Sequence, residues 1–166
     1  MRLLFLSDGW TILLCFVAWG SFQLAAALVC LNIPDRYYSH DSWFYRSHPF
    51  ERQGKLYARL FKVHRWKHLL PDGGALWKKT GYKKRTLDDH SEENLSRFLI
   101  ESARGEMTHW LAILPFWVFG FFTPAYVIWI MLAYALAVNL PCIIAQRYNR
   151  PRVLRLLEKM KRRDLE

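Results

Sequence analysis

Residues 9–31 read GWTILLCFVAWGSFQLAAALVCL, an apolar stretch with no charged side chain. A helix of about 20 apolar residues crosses the hydrocarbon of a bilayer, so this stretch predicts a membrane helix. It is longer than the apolar core of a secretion signal, and AALVC places Val29 where a lipoprotein cleavage box wants a small residue. A second apolar block runs from about His109 to Ala145 and is interrupted at Phe122-Thr123-Pro124. It is too long for one span, which predicts two helices, about 108–123 and 125–145.

The basic residues orient these spans. Lys and Arg number 15 between Asn32 and Glu106 and 8 from Gln146 onward, with only Arg2 ahead of the first span. Basic flanks stay cytoplasmic, so three spans with the N-terminus outside satisfy every segment at once. The expected fold is an all-α integral membrane protein, a single domain over 1–166. Segment 32–107 and the basic tail 146–166 then lie on the cytoplasmic side as interfacial amphipathic helices. The net charge of +10 suits a nucleic-acid binder at first sight. Its placement beside apolar spans points to anionic lipid instead, so the expected partner is membrane lipid and not nucleic acid. Cys15, Cys30 and Cys142 all lie in apolar blocks, a pattern of small hydrophobes rather than a disulfide framework.

Outside the spans, NIPDRYY (32–38) reads as the turn onto the cytoplasmic face, with Tyr37 and Tyr38 suited to the interface. Within 43–70, Leu56, Leu60 and Val63 recur at helical spacing beside Phe61, while Lys55, Arg59 and Lys62 fall elsewhere, which predicts one amphipathic helix. Residues 70–85, rich in Gly and Lys, read as a loop. A helix is expected from Asp88-Asp89-His90-Ser91, with acids in its first turn. If it is continuous, Leu95, Leu99, Ser102, Glu106, His109 and Ile113 share one inward stripe. Arg97, Glu101 and Arg104 read as a solvated charge cluster on the opposite face. Pro141 is expected to kink the third span, and Asn149 ahead of Pro151 resembles a new helix start. The tail helix that follows sets Val153, Leu154, Leu157 and Met160 against a basic face.

Ionisable groups beside a span mark function when they point inward. Glu106 and His109, at i and i+3, are therefore the leading pair, a carboxylate orienting an imidazole as general base. A structural hydrogen bond locking helices together is the plain alternative. In HRWKHLLPDGG (64–74), Lys67, His68 and Asp72 are candidates for a polar pocket at the membrane surface. Arg147, Arg150 and Arg152 in QRYNRPR are candidates for binding phosphate, with membrane anchoring as the alternative. His64 and His68 raise the question of a metal, but six histidines are too few for a multi-box di-iron enzyme, so no metal is expected. A serine elbow, a phosphate loop and a dinucleotide fingerprint are absent from the sequence.

Five stretches together, NIPDRYY, PFERQGKLY (49–57), VHRWKHLLPDG (63–73), IESARGEMTHWLAILP (100–115) and NLPCIIAQRYNRPRVLRLL (139–157), resemble the glycosyl-4,4'-diaponeurosporenoate acyltransferases of staphyloxanthin-type carotenoid biosynthesis. The resemblance implies a bacterial cell-membrane enzyme that transfers a fatty acyl group to a primary sugar hydroxyl of a glycosylated carotenoid or related glycolipid. The co-substrate expected is an acyl-coenzyme A or acyl-carrier-protein thioester, with no bound cofactor. The roles come from the chemistry of the side chains and not from the family: His109, oriented by Glu106, is expected to take the sugar proton, His68 or Lys67 to stabilise the oxyanion in a pocket shared with Asp72, and Arg147, Arg150 and Arg152 to hold the donor's phosphates. A noncatalytic membrane adaptor and a metal-dependent lipid-modifying enzyme are the rival readings.

Overall fold

A computed structural model describes residues 2–70 and 91–163. Among the described residues all regular structure is helical: α1 (Asp8–Asn32), α2 (Lys55–Phe61), α3 (Val63–Trp66), α4 (Glu92–Ile113) and α5 (Ala125–Arg163), with short 3-10 turns between them. The chain divides into two compact units, Met1–Ile33 with Glu106–Ile143, and Pro34–Gly105 with Ile144–Glu166.

The first unit is built from three antiparallel or parallel legs. Trp19 of α1 packs on Phe119 and Tyr134, with ring centroids 5.0 and 5.5 Å away, and its indole N–H donates to Met131 Sδ at 3.3 Å. One turn later Gln23 meets Asn139, so α1 and α5 run in the same direction. His109 lies opposite Asn139 and Gly120 opposite Ile128, so the leg between them runs the other way. The amides of Leu3 and Leu4 donate to the Phe121 carbonyl and tie the N-terminal segment to the end of that leg. On the outside, Trp10, Leu13, Phe16 and Val17 are at least half exposed, a surface that suits lipid and not water.

Among the described residues two helices, α1 and α5, are long and apolar enough to cross a membrane, not the three expected. The expected helix at 108–123 is the correction. α4 ends at Ile113, and Leu114–Phe121 winds as a 3-10 helix with Pro115 at its start. Proline has no N–H to give to the preceding turn, and the tighter 3-10 winding takes over. Thr123 Oγ1 then donates to the Phe119 carbonyl at 2.8 Å and closes the leg ahead of Pro124. A Cβ at Gly120 would sit 2.6 Å from Ile128 Cδ1 and 3.1 Å from its Cγ1. Ile128 must swing Cδ1 away about χ2 and yield slightly at Cγ1, so Gly120→Ala should destabilise this packing by about 1 kcal/mol, read as a lower midpoint of thermal unfolding in detergent.

The second unit replaces two expected surface helices with packed structure. α5 does not stop before Asn149; it continues through Pro141 and Pro151 to Arg163. Val153 and Leu157 are buried against Leu95, Phe98 and Leu99 of α4, with Leu154 and Met160 at the margin. Burying several such side chains at about 1.5–3 kcal/mol each outweighs the roughly 3 kcal/mol cost of an interior proline. The tail stripe thus packs on protein rather than lying on lipid. Residues 43–70 are likewise not one amphipathic helix. Left-handed backbone at Arg52, Gln53, Gly54 and Lys62 divides them into a 3-10 turn at Pro49–Glu51, then α2, α3 and a 3-10 turn at Lys67–Leu69. Val63 is buried with Ala145 and Tyr148, and Tyr57, Ala58 and Trp66 pack around them, while Leu60 and Phe61 stay exposed.

The expected inward stripe of α4 is observed: Leu95, Leu99, Ser102, Glu106 and Ile113 are all buried, and His109 is half-buried. Ser91 starts the helix by accepting the Asn94 amide, with Glu92 and Glu93 in the first turn; the expected Asp88-Asp89-His90 lies outside the described residues. The opposite face is a correction. Glu101 and Arg104 are buried rather than solvated, because Arg104 bridges Glu101 and Asp35 and its guanidinium lies 5.0 Å from the Tyr38 ring. Tyr38 is accordingly buried against Tyr45 and Arg104, while Tyr37 remains exposed, so only one of the two tyrosines expected at the interface is available to it.

Candidate functional site

His109 stands on the inward stripe of α4, in the last turns of the helix before Pro115 interrupts it. Its Nδ1 lies 2.9 Å from Asn139 Oδ1, a partner the sequence reading did not name. The carboxamide has only one workable orientation, since Asn139 Nδ2 donates to the Ala135 carbonyl at 2.9 Å and Gln23 Nε2 reaches the same Oδ1 at 3.5 Å. With an oxygen facing it, Nδ1 carries the proton of the neutral ring and Nε2 carries the lone pair. That is the tautomer a general base requires. Asn139 is itself almost wholly buried, so the pair is held in a site with little water.

Glu106 belongs to the same unit and is fully buried, one turn before His109. Its Oε1 accepts from the Trp110 indole at 3.4 Å. The helical spacing that put Glu106 and His109 on one stripe is therefore realised, and the group on His109 Nδ1 is an amide contributed from α5.

The remaining candidates lie in the second unit, where Glu51, also unnamed in the sequence reading, is the organising group. It is 2% exposed and receives the Arg147 guanidinium at 2.8 Å, the Tyr57 hydroxyl at 2.5 Å and the His48 amide at 2.8 Å. Burial opposes its charge, but the bonds from Tyr57, Arg147 and the His48 amide, with the charge of Arg147, hold the carboxyl below the ordinary carboxylate range. The sequence signal for it was PFERQGKLY: Pro49 opens a 3-10 turn and Glu51 folds back to cap it, as a capping-box acid does.

Arg147 also donates to the Phe44 carbonyl, while the buried Arg150 donates to the carbonyls of Tyr45 and Ser102. Both line a cleft of about 240 Å³ that also receives His40, Arg46, Ser47 and Arg155. Arg152 does not line it. Its guanidinium lies 3.5 Å from the centre of the Tyr148 ring, and the Lys67 ammonium sits 5.2 Å from that ring while donating to Asn149 Oδ1 at 3.0 Å. Burial and the nearby Arg152 charge push the Lys67 ammonium below its usual pKa. His68 is exposed on the 3-10 turn at Lys67–Leu69, and Asp72 lies outside the described residues. The four cationic candidates thus separate into a cleft pair, Arg147 with Arg150, and a Tyr148 cluster, Lys67 with Arg152.

The family model described as glycosyl-4,4'-diaponeurosporenoate acyltransferase matches residues 41–159. The chain belongs to that family. Proteins of that name from Staphylococcus aureus strains bovine RF122 / ET3-1, USA300 and NCTC 8325 / PS 47 are each 37% identical to it over 153 residues, covering 92% of both chains. No solved structure matches. Family membership makes the chain an acyltransferase. The matched segment takes in Glu51, His109, Asn139 and the arginines Arg46, Arg147, Arg150, Arg152 and Arg155.

Proposed function

We propose that this acyltransferase moves a fatty acyl group from a thioester donor to a hydroxyl of the sugar on a glycosylated carotenoid of the glycosyl-4,4'-diaponeurosporenoate type, at the cytoplasmic face of a bacterial membrane. The substrate class comes from the relatives' name, and the observation that carries the mechanism is the His109–Asn139 pair. His109 Nε2 takes the proton of the sugar hydroxyl as its oxygen bonds to the thioester carbonyl carbon. The tetrahedral intermediate collapses, the C–S bond breaks, and the imidazolium returns the proton to the departing thiolate. The products are one ester and one thiol, and the base is regenerated.

Packing within each unit supports the topology. The described parts of segments 34–105 and 144–166 pack as one unit, which supports reading them on one side of the membrane, the side that the basic residues favour. Three legs in the first unit satisfy that condition with the N-terminus outside, whether or not the middle one is a regular helix. The exposed apolar surface of α1 suits lipid contact.

Purified full-length protein, supplied with an acyl thioester and a glucosyl carotenoid ester, should release one thiol for each acylated product seen by mass spectrometry. A noncatalytic adaptor yields neither. Asn139→Leu should lower the rate by about 10- to 100-fold, the loss typical when an imidazole loses the group that fixes its tautomer. Asn139→Asp keeps an oxygen toward Nδ1 but gives up the bond to the Ala135 carbonyl and buries an acid, so it should lose less activity than Asn139→Leu while still falling below the unaltered protein. Equal losses in the two variants would show that Asn139 acts only in packing.

A further inference from the structure

The cleft in the second unit has a charge pattern that the proton-transfer step does not use. Four arginines, Arg46, Arg147, Arg150 and Arg155, line it together with the carboxylates of Asp41, Glu51 and Glu158. Glu51 and Arg147 cancel each other, which leaves Arg46, Arg150 and Arg155 against Asp41 and Glu158, an excess of positive charge. The balance favours an anion. Arg147 and Arg150 are fixed by backbone carbonyls from Phe44 and Tyr45, so their guanidinium planes are set before any ligand arrives. Arg46 and Arg155 also line the cleft and are the exposed members of the four, Arg46 on the turn closed by its amide to the Ser42 carbonyl, Arg155 on α5, where its Nε donates to the Pro151 carbonyl at 3.2 Å. A buried, backbone-held guanidinium group, Arg150, with a half-buried one, Arg147, two exposed ones and the Ser47 hydroxyl suits a ligand with several phosphate oxygens, because guanidinium forks bind phosphate in paired hydrogen bonds.

We propose that this cleft binds a phosphate ester, namely the diphosphate of a coenzyme A-type acyl donor, with Arg46 and Arg155 as its recognition residues. The inference rests on the thioester reading above and deepens it by naming the donor's class. Size supports the assignment. A cleft of about 240 Å³ is smaller than the roughly 300–1,000 Å³ that encloses a whole drug-sized ligand, so it takes the anionic group and leaves the nucleoside and the acylated arm outside. Arg152, another candidate for phosphate, lies over the Tyr148 ring outside this cleft, whereas Arg46 and Arg155 line it.

The test uses the full chain in phosphatidylcholine nanodiscs, titrated calorimetrically with coenzyme A, 4'-phosphopantetheine and inorganic pyrophosphate. Coenzyme A should bind with pyrophosphate competing and phosphopantetheine binding more weakly. Arg46→Gln and Arg155→Gln should each weaken coenzyme A by about tenfold or more. Lys159→Gln, which removes an equal charge from the same helix away from the cleft, should leave affinity unchanged. Competition by pyrophosphate is read on the unaltered protein and so does not depend on the variants folding. The proposal fails if pyrophosphate does not compete, if Lys159→Gln weakens binding as much as the cleft variants do, or if only nanodiscs containing phosphatidylglycerol displace the ligand, which would make this a lipid-headgroup site. His109→Ala should bind coenzyme A like the unaltered protein. Binding of this kind without acyl product from the unaltered chain would overturn the transfer mechanism and leave the cleft assignment standing.

Discussion

His109→Ala should lower acyl transfer by about 10²- to 10⁴-fold, the range that a positioned general base contributes. The expectation is specific because Nδ1 is held on an amide oxygen and the basic lone pair is therefore on Nε2. The residue is half-buried and its removal leaves the apolar packing around Trp19 and Phe119 in place, so membrane insertion and expression should persist. Initial rates of thiol release, with mass spectrometry of the lipid product, give the measurement. A rate within a few-fold of the unaltered protein would remove His109 from the chemistry and return the pair to a structural role.

Glu51→Ala should be the most damaging change to stability, at about 3 kcal/mol, because it removes the buried partner of an ion pair and leaves the half-buried Arg147 without its counter-charge. Tyr57 and the His48 amide lose their acceptor in the same step. Thermal or denaturant unfolding of the detergent-solubilised protein reads the effect, and a change under about 1 kcal/mol would mean that water reaches the pair. The same carboxyl predicts an acid limb. It is more acidic folded than unfolded, so as pH falls the unfolded chain takes up this proton first. The stability it contributes is complete above the ordinary carboxylate pKa of about 4.3 and is lost as pH falls from there through the lower folded value. The Glu51→Ala variant should lack that part of the acid dependence.

Much of this arrangement was legible without coordinates. The apolar blocks gave the all-helical class and two helices long and apolar enough to cross a membrane, and the 3.6-residue period along α4 placed Leu95, Leu99, Ser102, Glu106 and Ile113 on one buried stripe. Such patterns are readable because they depend on neighbours three and four residues apart. The errors came where that locality ends. Pro115 turned an expected span into 3-10 winding, Lys62 in left-handed backbone broke an expected amphipathic helix, and the tail stripe found α4 instead of a lipid surface. Arg104 and Glu101 look like a solvated pair on a helix wheel, and become buried because Asp35 and Tyr38 pack over them.

The sequence by itself determined the class of fold, the side of α4 that faces inward, the basic bias of the non-spanning segments and the family. Only the tertiary structure decided what each polar side chain meets. Asn139 reaches His109 across 30 residues, and Arg147 reaches Glu51 across 96, distances over which no helical period carries information. The physical reason is that a buried polar group must find a partner wherever packing brings one, and that partner is chosen by how the legs and turns close together, not by spacing along the chain.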